Sequence, residues 1–250
     1  MTPEMEKIVE LFDRNVRGKK SVTPAANKKH DGKGGHWLEK QMGVKPNAAN
    51  KPDLFGYEMK NDTTSKTSFG DWSPNYRIFK DSRYNIDRDT FLKIFGKPNI
   101  EKGGRYSWSG EPCPKVNSYN RFGQRLYITP NNDIVAKYSF RADKRRDKSD
   151  LVPRELRADD LVLAIWEADS MKKKVENKFN QNGWFKCIRD ADGVYTEIVF
   201  GEPMNFEKWI SDVKKGLIFF DSGMFQGNPR QYSQWRANNN YWESLIISKY

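Results

Sequence analysis

The sequence predicts an α/β protein in which a mixed central sheet is flanked by helices. Three observations predict it. Short apolar and aromatic runs of strand character recur at residues 54–60, 161–166, 184–188 and 194–200. Among them stand stretches with helical spacing of apolar residues, at 3–17, 87–95, 170–179 and 206–213. At 250 residues the chain can fill one large domain or two lobes with real cores. A division into residues 1–150 and 151–250 is expected, with one intertwined domain as the alternative.

Lys and Arg number 44 against 33 Asp and Glu, a net charge of +11, and the basic residues recur along the whole chain. A broad basic surface favours a polyanion, nucleic acid above all, over charge that serves solubility alone. Aromatic residues make up 14% of the chain, too many for a disordered one. Cys113 and Cys187 lie far apart, and with only two histidines no structural zinc site is suggested; both read as reduced thiols. The N-terminus has no charged and apolar signal pattern, and the run at 161–166 is too short to span a bilayer. A cytoplasmic protein with no membrane partner is expected. No P-loop and no GxGxxG after a strand points to nucleotide-driven chemistry.

In chain order, residues 3–17 form the first helix: Thr2 caps it, Pro3 suits the first turn, and Met5, Ile8, Val9, Phe12 and Val16 share one face. Gly18 ends it, and Lys19, Lys20, Lys28 and Lys29 follow in a loop that either contacts phosphate or is simply solvated. A short amphipathic helix comes next, in Lys33-Gly34-Gly35-His36-Trp37-Leu38-Glu39-Lys40-Gln41-Met42-Gly43. His30 and His36, beside Lys and Gly, read as solvated or phosphate-contacting rather than as bases or metal ligands. Trp37 and Leu38 form the buried side that presents Glu39.

The chemistry concentrates in Lys51-Pro52-Asp53-Leu54-Phe55-Gly56-Tyr57-Glu58-Met59-Lys60. Side chains alternate along a strand, so Glu58 and Lys60 point the same way. Leu54, Phe55, Tyr57 and Met59 supply what a half-buried strand wants. Two carboxylates can hold a hard divalent cation with open positions for water and phosphate, and a neighbouring lysine can orient a water. An edge strand with a solvated Glu-Lys face is the alternative for these residues alone.

The pattern Pro52-Asp53, then Glu58-x-Lys60, resembles the PD-(D/E)xK nuclease signature. With the upstream glycine pair, the Glu39 helix and the Asn/Ala-rich loop from Asn47, residues 33–61 are similar to the MutH-like branch of that superfamily. This branch holds the mismatch-repair nicking enzyme MutH and the MvaI/BcnI-type restriction endonucleases, with LlaMI as a further candidate relative. The resemblance implies a two-lobed endonuclease with DNA in a cleft. It implies Asp53 and Glu58 as metal ligands, Mg2+ as the cofactor, Lys60 as the water-orienting residue and Glu39 as an accessory carboxylate. It further implies a monomeric type II restriction endonuclease acting on double-stranded DNA. Cleavage at a short near-palindromic site such as CC-N-GG would leave 5′-phosphates, with a cognate DNA methyltransferase as functional companion. A MutH-like nickase and a non-catalytic DNA-binding module are the alternatives.

Beyond the motif, residues 67–72 predict a strand. Tyr76, Arg77, Lys80, Arg83 and Tyr84 then either clamp phosphate or pack inward. Residues 101–123, rich in Gly, Ser, Asn and Pro and carrying Arg105, read as a long surface excursion facing DNA. A hairpin is expected at 125–140, and a second around Asp190-Ala191-Asp192-Gly193. The stretch 141–148 is a charged loop, and the basic helix 170–179 turns Met171, Val175 and Phe179 inward. Last, residues 221–236 read as a loop carrying Gln226, Asn228, Arg230, Gln231, Gln234 and Arg236, side chains suited to guanine and adenine edges. With Lys33 and Arg105 these are the DNA-binding candidates. The corresponding loop in MvaI and BcnI is histidine-rich and this one is not, so the bases it reads stay open.

Overall fold

The computed structural model describes residues 1–21, 33–44 and 50–250. Lys28, Lys29, His30, Asn47 and the side chain of Lys33 lie outside the described residues. The first helix, Pro3–Asn15, starts as its sequence dictates: Thr2 Oγ accepts the Met5 N–H at 3.2 Å and Pro3 occupies the first turn. Its Met5, Ile8 and Phe12 are buried, and they share a core with Leu38 and Met42 from the Lys33–Gln41 helix region. Tyr57, Met59, Phe185, Ile198 and Phe200 complete that core from the sheet beneath. Each such side chain contributes roughly 1.5–3 kcal/mol on burial.

That sheet is mixed, as expected. Strand Tyr57–Lys60 runs parallel to Gly183–Arg189, which pairs antiparallel with Tyr195–Gly201, and the last of these with Ile246–Lys249. Tyr57–Lys60 stands at the end of this four-stranded order but is buried along its whole length, which removes the reading of a solvated Glu-Lys face. Gly201 is required by close approach: a Cβ there would lie 1.9 Å from the Trp184 ring.

The chain divides into two units, each assembled from separated segments. The first comprises Met1–Thr67, Lys174–Phe206 and Asn238–Tyr250; the second comprises Ser68–Lys173 and Glu207–Ala237. Residue 150, the expected boundary, therefore falls inside the second unit. The interleaving follows from strand pairing, because Tyr57–Lys60 takes its parallel neighbour from Gly183–Arg189, far along the chain.

Within the second unit, an antiparallel sheet runs Tyr76–Arg77, Leu161–Trp166, Ile134–Asp143, Phe122–Ile128. The expected hairpin forms its long arm and extends through Asp143, so part of the charged stretch at 141–148 is strand. Asp143 there is buried and holds the buried Arg145 through bonds as short as 2.6 Å. Residues 101–123 are not simply a surface excursion. Arg105–Trp108 is a strand flanked by Lys97–Asn99 and Met224–Phe225. Trp108 anchors it, packing edge-on against Phe91 and Phe220 and donating from Nε1 to Gln124 Oε1 at 2.8 Å. Cys113 and Cys187 are buried free thiols. Among the described residues no helix is long and apolar enough to cross a membrane.

Candidate active site

The site begins in a tight turn. Tyr57 N–H donates to Leu54 O at 2.7 Å, and Phe55 and Gly56 both take left-handed φ, 46° and 83°. Two successive positive φ values make a turn of the I′ kind, which folds the chain back beside the strand it enters. Phe55 is therefore outside the strand and exposed, contrary to the apolar pattern, with Lys7 Nζ 5.5 Å from its ring centroid. The reversal brings Asp53 alongside the strand, where its Oδ2 accepts the Met59 N–H at 2.9 Å.

Glu58 and Lys60 face the same way, as strand alternation requires. Lys60 Nζ donates to Glu58 Oε1 at 2.9 Å, and both side chains are buried. Lys60 also sits 4.9 Å from the Phe179 ring and 5.8 Å from the Trp242 ring, so its ammonium is walled by aromatic faces. Burial lowers its proton affinity, and Glu58 partly opposes that effect. Asp53 is pushed the other way, up to about 6, first by burial and then by the charge of Glu58. The structure thus brings Asp53, Glu58 and Lys60 together in one unit.

A fourth charged group was not legible as part of the site. Lys178, in the last turn of the helix Ala168–Phe179, places Nζ 3.0 Å from the same Glu58 Oε1. Met171, Val175 and Phe179 are buried, and that spacing fixes the face of the helix turned inward. A lysine beside the last of these was the available signal.

Glu58 Oε2 is buried and makes no hydrogen bond. An anionic oxygen left so costs free energy until a cation or donor reaches it. Asp53 and Glu58 therefore suit a hard divalent ion of the kind that binds through one or two carboxylates and keeps several waters. Glu39 Oε2 contacts His36 Nδ1 at 3.2 Å, and among the described residues no three His, Cys, Asp or Glu side chains form a metal-holding group.

The DNA-binding candidates lie in the second unit, apart from Lys33, and are engaged with their own chain. Arg230 Nη2 pairs with Asp71 Oδ2 at 3.0 Å yet keeps 64% of its side chain exposed. Gln231 accepts from Arg77 through both its side chain and its carbonyl. Gln226 Oε1 accepts the Tyr106 N–H at 2.9 Å, and Asn228 Oδ1 accepts the Arg230 N–H at 3.0 Å. Gln234 and Arg236, expected in a loop, stand on the strand Gln234–Asn238 and bond to each other. The Arg105 guanidinium stacks 3.7 Å from the Phe225 ring centroid. Arg77, one of the basic residues flanked by aromatics, turns inward to Gln231 and Ser233.

Comparison with known proteins bears on the family and the fold. The type II restriction enzyme ScrFI of Lactococcus lactis subsp. cremoris is 46% identical, with 98% of each chain covered. The restriction endonuclease MvaI, solved as a complex with its cognate DNA substrate, superposes with a TM-score of 0.64 at 14% identity, covering 100% of this chain and 98% of that one. At that identity the likeness concerns the fold, and it supports the restriction-endonuclease-like architecture. The LlaMI restriction endonuclease family matches residues 16–250, which take in the strand of Glu58 and Lys60 and its late partner strand alike. With that match and a relative aligned end to end, the chain belongs to the LlaMI restriction endonuclease family.

Proposed function

We propose that this type II restriction endonuclease hydrolyses double-stranded DNA with the help of Mg2+, at a short near-palindromic site of CC-N-GG type, leaving 5′-phosphates. The observation that carries the reading is Glu58. One of its oxygens is held by two ammonium groups, and the other is buried without a partner beside a second carboxylate, Asp53, lifted to about 6. Asp53 and Glu58 would hold the ion, which when bound supplies a Lewis acid for the phosphate and acidifies water.

The chain's own residues do the rest. Lys60 Nζ, fixed by Glu58 and the rings of Phe179 and Trp242, donates to the attacking water and aligns it with the phosphorus. Its lowered proton affinity suits it to shuttle a proton at Nζ. Glu39 acts as the accessory carboxylate. Arg230, Gln231, Gln234, Arg236, Gln226 and Asn228 read base edges, and Lys33 and Arg105 hold the backbone. The enzyme works as a monomer, and a cognate methyltransferase protects host sites.

The test is a digest of a large sequenced DNA with purified protein, with Mg2+ and with EDTA. Discrete Mg2+-dependent fragments, with ends mapped by sequencing, support the reading and give the site. Nicked circles without fragments would replace it with a nickase, and uncut DNA that still shifts on a gel would replace it with a binding module.

A further inference from the structure

We propose that Lys178 is the resident counter-ion of the carboxylate pair: held on Glu58 in the free protein, it is released to the DNA backbone when a divalent cation takes over its charge. The proposal rests on the metal-dependent reading above. Glu58 Oε1 receives two ammonium groups, Lys60 at 2.9 Å and Lys178 at 3.0 Å, and they are not equivalent. The Lys60 side chain is 7% exposed and enclosed by Phe179 and Trp242. Lys178 keeps 20% exposure at the end of its helix, so it has solvent to move into.

The charge of Lys178 also acts on Asp53, after that of Lys60, so this cation bears on both carboxylates assigned to the metal. A divalent ion and this ammonium would repel at such range, and the more exposed group is the one free to leave. A displaced lysine is a flexible point charge, and a phosphate is the anion such a charge fits. The adjacent residue, Phe179, stays buried against Lys60 meanwhile, so the helix end can release one side chain while holding the other.

The test uses the full-length protein and Lys178→Met, which keeps the apolar stem and removes the charge. Titration calorimetry with Ca2+ or Mn2+ and no DNA should show metal binding tightened by about threefold or more, as expected on removing an ammonium that competes with the ion for Glu58. Gel shifts in Ca2+ on DNA carrying the cleavage site should show weaker binding and a log–log salt slope smaller by about one. A simple structural ion pair would lower the melting temperature and leave both readouts in place, which overturns the proposal, as would weakened metal binding. If Lys178→Met does not fold, Lys178→Gln carries the same two measurements. Wild-type protein that takes no ion overturns the parent reading and this one with it. Wild-type that takes the ion beside an unchanged variant overturns this one alone.

Discussion

Arg230 and Asp71 form a two-point contact, Nε at 3.1 Å and Nη2 at 3.0 Å from the same carboxylate oxygen. The other oxygen of Asp71 accepts the Ser233 N–H at 2.7 Å, so Asp71 fixes both the arginine and the backbone beyond it. The guanidinium is thus oriented while most of its surface stays open to solvent. Arg230→Ala should cost about 1–3 kcal/mol of discrimination between cognate and random DNA if it reads guanine. Competition gel shifts decide: equal loss on both DNAs would make Arg230 a phosphate contact.

Lys60 is the residue whose loss should separate binding from cutting. Lys60→Ala should lower the single-turnover cleavage rate by about 10²–10⁴-fold. Ca2+-supported DNA binding should persist, because the carboxylates remain. Cleavage at the wild-type rate would remove Lys60 from the mechanism.

Asp53 makes the metal-free protein sensitive to pH. Its folded value is about 6 against an ordinary 3.8, so the folded state holds the proton more tightly than the unfolded chain does. The resulting stability is fully present below about 4 and is lost as pH rises through about 6. Near pH 8 the ionised carboxylate therefore works against folding, by up to about 3 kcal/mol. Asp53→Asn should raise the melting temperature of the metal-free protein at pH 8 and change it little at pH 4, while abolishing cleavage. In the wild type, metal affinity should weaken as pH falls below about 6, because the proton competes for the site. An equal melting shift at both pH values would contradict the assignment.

The Phe55-Gly56 turn offers a test in stability. Phe55 holds φ 46° without packing its ring inside, and Asn-Gly is the pair such turns prefer. Phe55→Asn should stabilise by roughly 0.5–1 kcal/mol in urea unfolding. Gly56→Ala should destabilise by about 1–2 kcal/mol, since left-handed backbone disfavours a side chain. Its new Cβ would also meet Asn182 Nδ2 at 2.7 Å. A stabilising Gly56→Ala would refute the turn argument.

Salt gives a check on the charge argument. DNA affinity should fall steeply as salt rises, through release of counterions from the backbone. A flat dependence in filter-binding assays would leave the net charge of +11 without a role in DNA binding.

Much of this was written locally and could be read locally. The strand of Glu58 and Lys60, the Thr2 cap and the buried face of Met171, Val175 and Phe179 all follow from neighbours a few residues apart. Phe55 misled because an aromatic before Gly looks like strand until backbone geometry claims it. Arg105, Gln234 and Arg236 read as loop because their strands pair with very short partners, Lys97–Asn99, Met224–Phe225 and Ile218–Phe220, which are too short to carry an alternating pattern. Lys178 reaches Glu58 only through tertiary folding, so no local pattern could join them.

The parallel pairing of Tyr57–Lys60 with Gly183–Arg189 has a consequence for synthesis. Such non-local contacts form late, after the costly closure of a long intervening segment. A chain still emerging from the ribosome carries Asp53, Glu58 and Lys60 early, yet lacks the strand that supports them and the helix that brings Lys178 and Phe179. If Asp53, Glu58 and Lys60 carry the cleavage, an unfinished or truncated chain that stops before Gly183–Arg189 holds those residues without the strand that supports them, and should not cut DNA.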